Sequence, residues 1–131
     1  MPSSIQPVAL NIPTTPDDEI WDKISHFLLD QEQWRSPYLS LASLCEELGC
    51  NRTYVGEAFR RNVGQTFVEY IAQRRIGYVM EVMKRHPDTD IRQLFTDVGY
   101  RQRSTAWRNF HKVTDITPTE FVEQLRSSSP Q

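Results

Sequence analysis

The sequence predicts an all-α protein of seven helices, arranged as two helix-turn-helix lobes joined by a central linker helix. Three observations predict it. Apolar residues recur at helical spacing in most segments. Capping residues, and glycines or prolines that end helices, fall at the segment boundaries. One cap, apolar and glycine pattern also occurs twice, its terminating glycines Gly49 and Gly99 lying 50 residues apart.

Residues 1–16, "MPSSIQPVALNIPTTP", hold four prolines and little periodicity. They read as a disordered lead or linker, as expected of a piece cut from a longer protein with Met1 added for expression. A domain is expected over 17–126. Its first helix, over 17–34, carries Ile20, Ile24, Phe27, Leu28 and Trp34 on one stripe, with three acids at the positive end of its dipole. The first helix-turn-helix spans about 40–63. Ser40 caps a short helix with Leu41, Leu44, Cys45 and Leu48, and Gly49 ends it in the left-handed conformation. Asn51 caps the next helix almost at once, and so tight a join forces a steep crossing. There Tyr54, Val55, Ala58 and Phe59 form the apolar stripe, while Arg52, Thr53, Gly56, Glu57, Arg60 and Arg61 fall largely outside it. Gly56 costs roughly 1 kcal/mol of helix stability relative to alanine, so a helix-weakening residue sits on a basic face.

Gly64 closes that helix and Thr66 caps the linker, about 66–85, with Phe67, Tyr70, Ile71, Ile76, Val79, Met80 and Met83 inward and Pro87 as its stop. About twenty residues at 1.5 Å each give roughly 30 Å. The second helix-turn-helix spans about 90–113: Asp90 as cap, Ile91, Leu94, Phe95 and Val98 as core, Gly99 as terminator, then a helix with Ala106, Trp107, Phe110 and Val113. A closing helix over about 118–125 has Thr117 as cap, Pro118 first and Glu120 third. Residues 127–131 read as a flexible tail.

The 131 residues are 38% apolar and 24% charged, which suits a soluble globular domain. No apolar run approaches the ~20 residues of a membrane span, and no secretory leader is present. A cytoplasmic domain follows, with an anchor elsewhere in a longer protein left open. Cys45 and Cys50 would need special geometry to pair, so reduced thiols are expected. They cannot alone complete a four-ligand zinc site. His26, His86 and His111 are scattered, no nucleophile–base grouping is visible, and no glycine-rich phosphate loop occurs. No enzyme, metal or cofactor is expected. The net charge of −2 is uneven: residues 1–39 carry two basic against six acidic side chains, the remainder thirteen against eleven. Arginine outnumbers lysine in that second part, and its rigid fork suits phosphate and guanine edges.

At this point the chain resembles the DNA-binding domain of the AraC/XylS transcription regulators, over about residues 39–125. The stretches that carry the likeness are "LCEELGCNRTYVGEAFRRNVGQTFVEYIAQRRI" and "IRQLFTDVGYRQRSTAWRNFHKVTDITPTEF", with their glycine positions, Arg75–Ile76 in the linker and the closing "TP..F". The first helix and "YLSLASL" are similar to versions at the C-terminal end of larger Bacteroidetes-type sensor-regulators. The resemblance implies seven helices, double-stranded DNA as partner and a transcriptional role in a bacterial cell. Matched residue by residue, it implies base reading by Thr53, Gly56 and Glu57 in the first lobe and by Arg101, Arg103, Ser104 and Trp107 in the second. Arg52, Arg60 and Lys112 match as phosphate contacts, and Arg108 as the usual arginine of that helix, of structural or electrostatic use and a phosphate candidate; His111 is a further phosphate candidate from its place in the recognition helix. Trp107 is read either as a core side chain or as an aromatic touching a sugar or thymine methyl.

Successive major grooves on one face of B-DNA lie about 34 Å apart, so a monomer is expected to enter both. RNA polymerase is a candidate second partner, and an upstream sensor or dimerisation segment is expected in the full-length protein. The chain departs from the family pattern at Cys45, Val79 and Phe95, where small residues are usual, and at Ala106, where a large one is; Phe95 is expected to fill the space Ala106 leaves. Asp115 replaces a glycine, and Val122 a common arginine. The rival reading is a helix-turn-helix-derived protein interaction module with little DNA affinity.

Overall fold

The computed structural model describes residues 16–128, with side chains from Glu19 onward. Residues 1–15 of the expected lead and residues 129–131 of the tail lie outside the described residues, and Pro16, assigned to that lead, instead opens the first helix. Seven α-helices follow in order: α1 (Pro16–Ser25), α2 (Leu41–Leu48), α3 (Arg52–Val63), α4 (Phe67–Arg85), α5 (Ile91–Asp97), α6 (Arg103–Thr114) and α7 (Pro118–Ser128). Among the described residues there is no strand.

The starts of α2, α3, α4, α5 and α7 are fixed by side-chain caps. Ser40 accepts from the Ser43 amide at 3.0 Å while the Ser43 hydroxyl accepts from the Ser40 amide at 2.9 Å. Asn51 Oδ1 accepts from the Tyr54 amide at 2.9 Å. Thr66 and Glu69 cap α4 reciprocally at 3.1 and 2.9 Å, as Thr117 and Glu120 cap α7 at 3.1 and 2.8 Å. Asp90 accepts from the Arg92 amide at 3.0 Å. Each such cap is worth about 1 kcal/mol.

The helix ends are equally legible. Gly49 and Gly64 take φ of 68° and 67°, and Asp115 takes 66°, so an aspartate does hold the left-handed position after α6. At the end of α2 the Gly49 amide donates to Glu46 and the Cys50 amide to Cys45, at 3.3 and 3.1 Å. That Schellman pairing sets the two free, half-buried cysteines across one turn. Helix α4 stops at Arg85, before Pro87.

The core runs through both lobes. Ile24 and Leu28 from the N-terminal segment, Val55, Ala58 and Phe59 from α3, and Ile76, Val79 and Met83 from α4 are fully buried. Trp21, Phe67 and Tyr70 meet the Phe59 ring edge-on at 5.3–5.8 Å. In the second lobe Phe95 packs edge-on against Tyr100 and Phe110 at 6.1 and 6.2 Å. Ala106 is fully buried in the same cluster, so the large and small departures both find places there.

Three expectations need correction. The single helix over 17–34 is broken: α1 gives way to a π turn at His26–Asp30, Glu32 takes a left-handed φ of 55°, and a 3₁₀ turn follows at Gln33–Arg35. The break turns Trp34 onto Tyr78 of α4, ring centroids 5.6 Å apart. Tyr54, placed in the apolar stripe, is 54% exposed; it lies about 100° around the helix from Val55 and falls off the edge of the buried face. Ser127 and Ser128, assigned to the flexible tail, continue α7, where the Ser128 hydroxyl donates to the Gln124 carbonyl at 2.8 Å.

The segment before α2 is keyed into the second lobe. Buried Arg75 on α4 donates from Nε to the Trp34 carbonyl and from Nη2 to the Ser36 carbonyl, both at 2.9 Å, and stacks over Tyr100 at 5.1 Å. Arg35 donates to the Asp97 carbonyl at 3.2 Å. Gly99, at φ 105°, closes this contact: a β-carbon there would stand 2.8 Å from the Arg35 carbonyl oxygen and 2.9 Å from Arg75 Nη2. Only glycine fits.

Candidate nucleic-acid interface

The two helix-turn-helix units present one face each. On α3 the buried residues Val55, Ala58 and Phe59 turn inward, which leaves Thr53, Gly56, Glu57 and Arg60 on the outer side at helical spacing, with Arg52 exposed beside them in the first turn. On α6, Ala106 and Phe110 are buried, and Ser104, Trp107, Arg108 and His111 share the outer side, with Arg103 exposed beside them in the first turn. Each residue of the first set precedes its counterpart in the second by 51 positions. The helices are the same length, and each is the second of its pair. The structure therefore places ten of the twelve sequence-assigned residues on two equivalent surfaces.

The two faces differ in charge. On α3 the Glu57 carboxylate pairs with the Arg60 guanidinium one turn later. An acidic group thus sits inside the basic face and occupies one of its arginines. Exposed charges of this sort interact weakly, by about 1 kcal/mol or less. Gly56 has open space around it: a β-carbon there would meet nothing within 4 Å. No packing inside the protein requires this glycine.

On α6 there is no acidic residue. Arg103, Ser104, Arg108 and His111 are exposed, and among the described residues no side-chain hydrogen bond or ion pair ties down Arg103, Arg108 or His111. Trp107 is half-buried, between the two alternatives set for it. Lys112 lies at the flank of this face and acts electrostatically on Glu69 of α4, whose carboxyl is held below its ordinary range chiefly by the Thr66 amide. Arg101 precedes the helix, in the turn, with its guanidinium over the exposed Tyr38 ring at 5.4 Å. Gln102, at the N-cap position of α6, makes no side-chain cap hydrogen bond.

Sequence reasoning missed two contributors. Tyr38 lies outside both helix-turn-helix units, and only the fold brings it beside Arg101. Asn109 donates to the buried Tyr100 hydroxyl at 2.9 Å and thereby braces α6 on the turn before it; burial raises the Tyr100 pKa. No spacing signal marks either contact.

Comparison with known proteins matches this geometry. Residues 44–124 match a helix-turn-helix domain family of the AraC/XylS type. The chain is 30% identical over 87 residues to the regulatory protein SoxS of Salmonella typhimurium, covering 66% of this chain and 80% of that protein. It is 28% identical over 96 residues to the transcriptional regulatory protein YesN of Bacillus subtilis and 23% identical over 111 residues to the transcriptional activator RhaR of Escherichia coli. Those alignments take in 72% and 85% of this chain but only 26% and 38% of the two relatives. Among solved structures, the C-terminal domain of the response regulator AraT from Geobacillus stearothermophilus superposes with a TM-score of 0.72 at 17% identity, covering 84% of this chain and 88% of that one. The C-terminal domain of the two-component response regulator yesN from Fusobacterium nucleatum gives 0.65 at 20% identity, over 82% and 99%. With its paired helix-turn-helix units matched over the greater part of its length, the chain belongs to the AraC/XylS family of helix-turn-helix, DNA-binding transcription regulators.

Proposed function

We propose that this chain is the DNA-reading end of a transcription regulator and binds duplex DNA sequence-specifically as a monomer, with α3 and α6 in successive major grooves. The observation that carries the reading is the pair of equivalent faces, five residues each, at a constant offset on the two second helices. In such units the second helix enters the major groove with its N-terminal residues at base edges. Thr53, Gly56 and Glu57 face the bases in the first lobe, and Arg101, Arg103, Ser104 and Trp107 in the second. Arg52, Arg60, Arg108, His111 and Lys112 meet phosphate. RNA polymerase and an upstream sensor or dimerisation segment complete the regulator, which works in the cytoplasm.

Selection of bound sites from a random duplex library tests this. One enriched site is expected, bound with an affinity that falls steeply with salt as phosphate contacts release counterions. The Glu57–Arg60 pair and the exposed Tyr54 and Val68 side chains instead favour a protein interaction module. No enriched site at low salt, together with a stable protein complex, would favour that reading.

A further inference from the structure

Tyr38 is 76% exposed, more than any other large apolar side chain described, and it belongs to neither helix-turn-helix. It sits two residues after Ser36, whose carbonyl is bound by buried Arg75, and its own amide donates to the Ser36 hydroxyl at 3.2 Å. Arg35 is bonded to Asp97 at the end of α5, and Gly99 packs directly on the Arg35 and Ser36 carbonyls. The loop that carries Tyr38 is therefore built onto the α5–α6 turn. Its ring lies under the Arg101 guanidinium at 5.4 Å. An exposed arginine has much rotamer freedom to lose when it binds, whereas one resting on an aromatic face has already lost part of it.

We propose that Tyr38 is a positioning residue for DNA recognition: stacked against Arg101, it holds that guanidinium at the N-terminal, groove-facing end of α6. The loop before the first lobe thus serves the second lobe. This inference rests on the DNA-binding reading. It adds a specificity-supporting residue outside both recognition helices, and one that acts through Arg101.

A double-mutant cycle on the intact chain tests it, using the duplex site selected by the wild type. Tyr38→Ala should weaken binding about two- to fivefold, the range of an exposed cation–π contact. Tyr38→Phe, which keeps the ring, should bind within about twofold of the wild type on the same grounds. In an Arg101→Ala background, Tyr38→Ala should change nothing further. Thermal melting should show all these chains cooperatively folded, since Tyr38 and Arg101 are exposed and lie outside the core. Equal weakening by Tyr38→Ala with and without Arg101, or loss of binding in Tyr38→Phe, would overturn the proposal while leaving DNA binding intact. Failure of the wild type to select any site would overturn the DNA-binding reading and this inference with it.

Discussion

Gly56 lies in the middle of α3 with open space where its side chain would be, and Gly77 lies in α4 in the same condition. Both cost helix stability with no return in internal packing, so alanine at either should stabilise the fold by roughly 1 kcal/mol. The two should part company on DNA. Gly56 is on the face assigned to the groove, where close backbone approach needs an absent side chain; Gly77 is on the linker helix. Gly56→Ala is expected to raise the melting temperature and weaken DNA binding, and Gly77→Ala to raise it with affinity unchanged. A gain in stability with no loss of affinity in Gly56→Ala would remove the glycine from the interface. A second comparison ranks the lobes. Arg103→Ala should cost roughly 1–3 kcal/mol in binding if Arg103 reads a guanine, with relaxed preference at one base pair. Thr53→Ala should cost less, because threonine offers one short contact beside a glycine. Equal or greater loss from Thr53→Ala, measured on folded variants by fluorescence titration, would make the first lobe the main reader. The α3 face was legible in the sequence from its helical offset against the apolar stripe, whereas the α6 residues were reached through the family resemblance, with Trp107 also counted in that helix's apolar stripe. Arg75 was not legible as a buried tie: its partners Trp34 and Ser36 lie 41 and 39 residues earlier, and nothing local announces them.

At the scale of elements, capping chemistry did most of the specification. Ser40, Asn51, Thr66, Asp90 and Thr117 each cap the helix expected of them, because a short polar side chain before an apolar run has one favourable use. The break over residues 26–35 was not legible. Its apolar spacing still fits a continuous helix, and the left-handed turn at Glu32 is set by where Trp34 and the following carbonyls must dock. The caps also set acid sensitivity. Glu69 is held below its ordinary pKa chiefly by the Thr66 amide, and Asp90 chiefly by the Arg92 side chain and then its amide. A carboxylate depressed in the folded state stabilises the fold above its unfolded pKa, and that contribution is lost as pH falls through the folded value. The melting temperature should therefore hold steady down to about pH 5 and decline below it. Asp90→Asn, which keeps a cap oxygen without a titrating charge, should flatten the decline. A melting temperature that rises on acidification, or an unchanged profile in Asp90→Asn, would contradict this role.

For the whole molecule, the two lobes are held as one body. The lock of Arg75, Arg35 and Gly99 fixes the segment before α2 to the turn before α6, and α4 contributes buried side chains along its length. Its 19 residues span about 28 Å at 1.5 Å each, comparable with the roughly 34 Å between successive major grooves. The duplication and the linker length were legible from the two glycines and the proline stop. The lock was not, since it joins residues far apart in sequence. Lobes locked by these contacts should keep their spacing, unlike two lobes on a flexible tether. The central claim, that one chain reads two grooves at a fixed spacing, is tested most directly by changing the spacing in the selected duplex. Titrations would follow binding with about 5 and about 10 base pairs inserted between the two contacted segments, a half and a full helical turn. Both insertions should reduce affinity to that of a single half-site, with one chain bound to the parent duplex. Recovery of full affinity at the full-turn insertion, or two chains on the parent duplex, would contradict it.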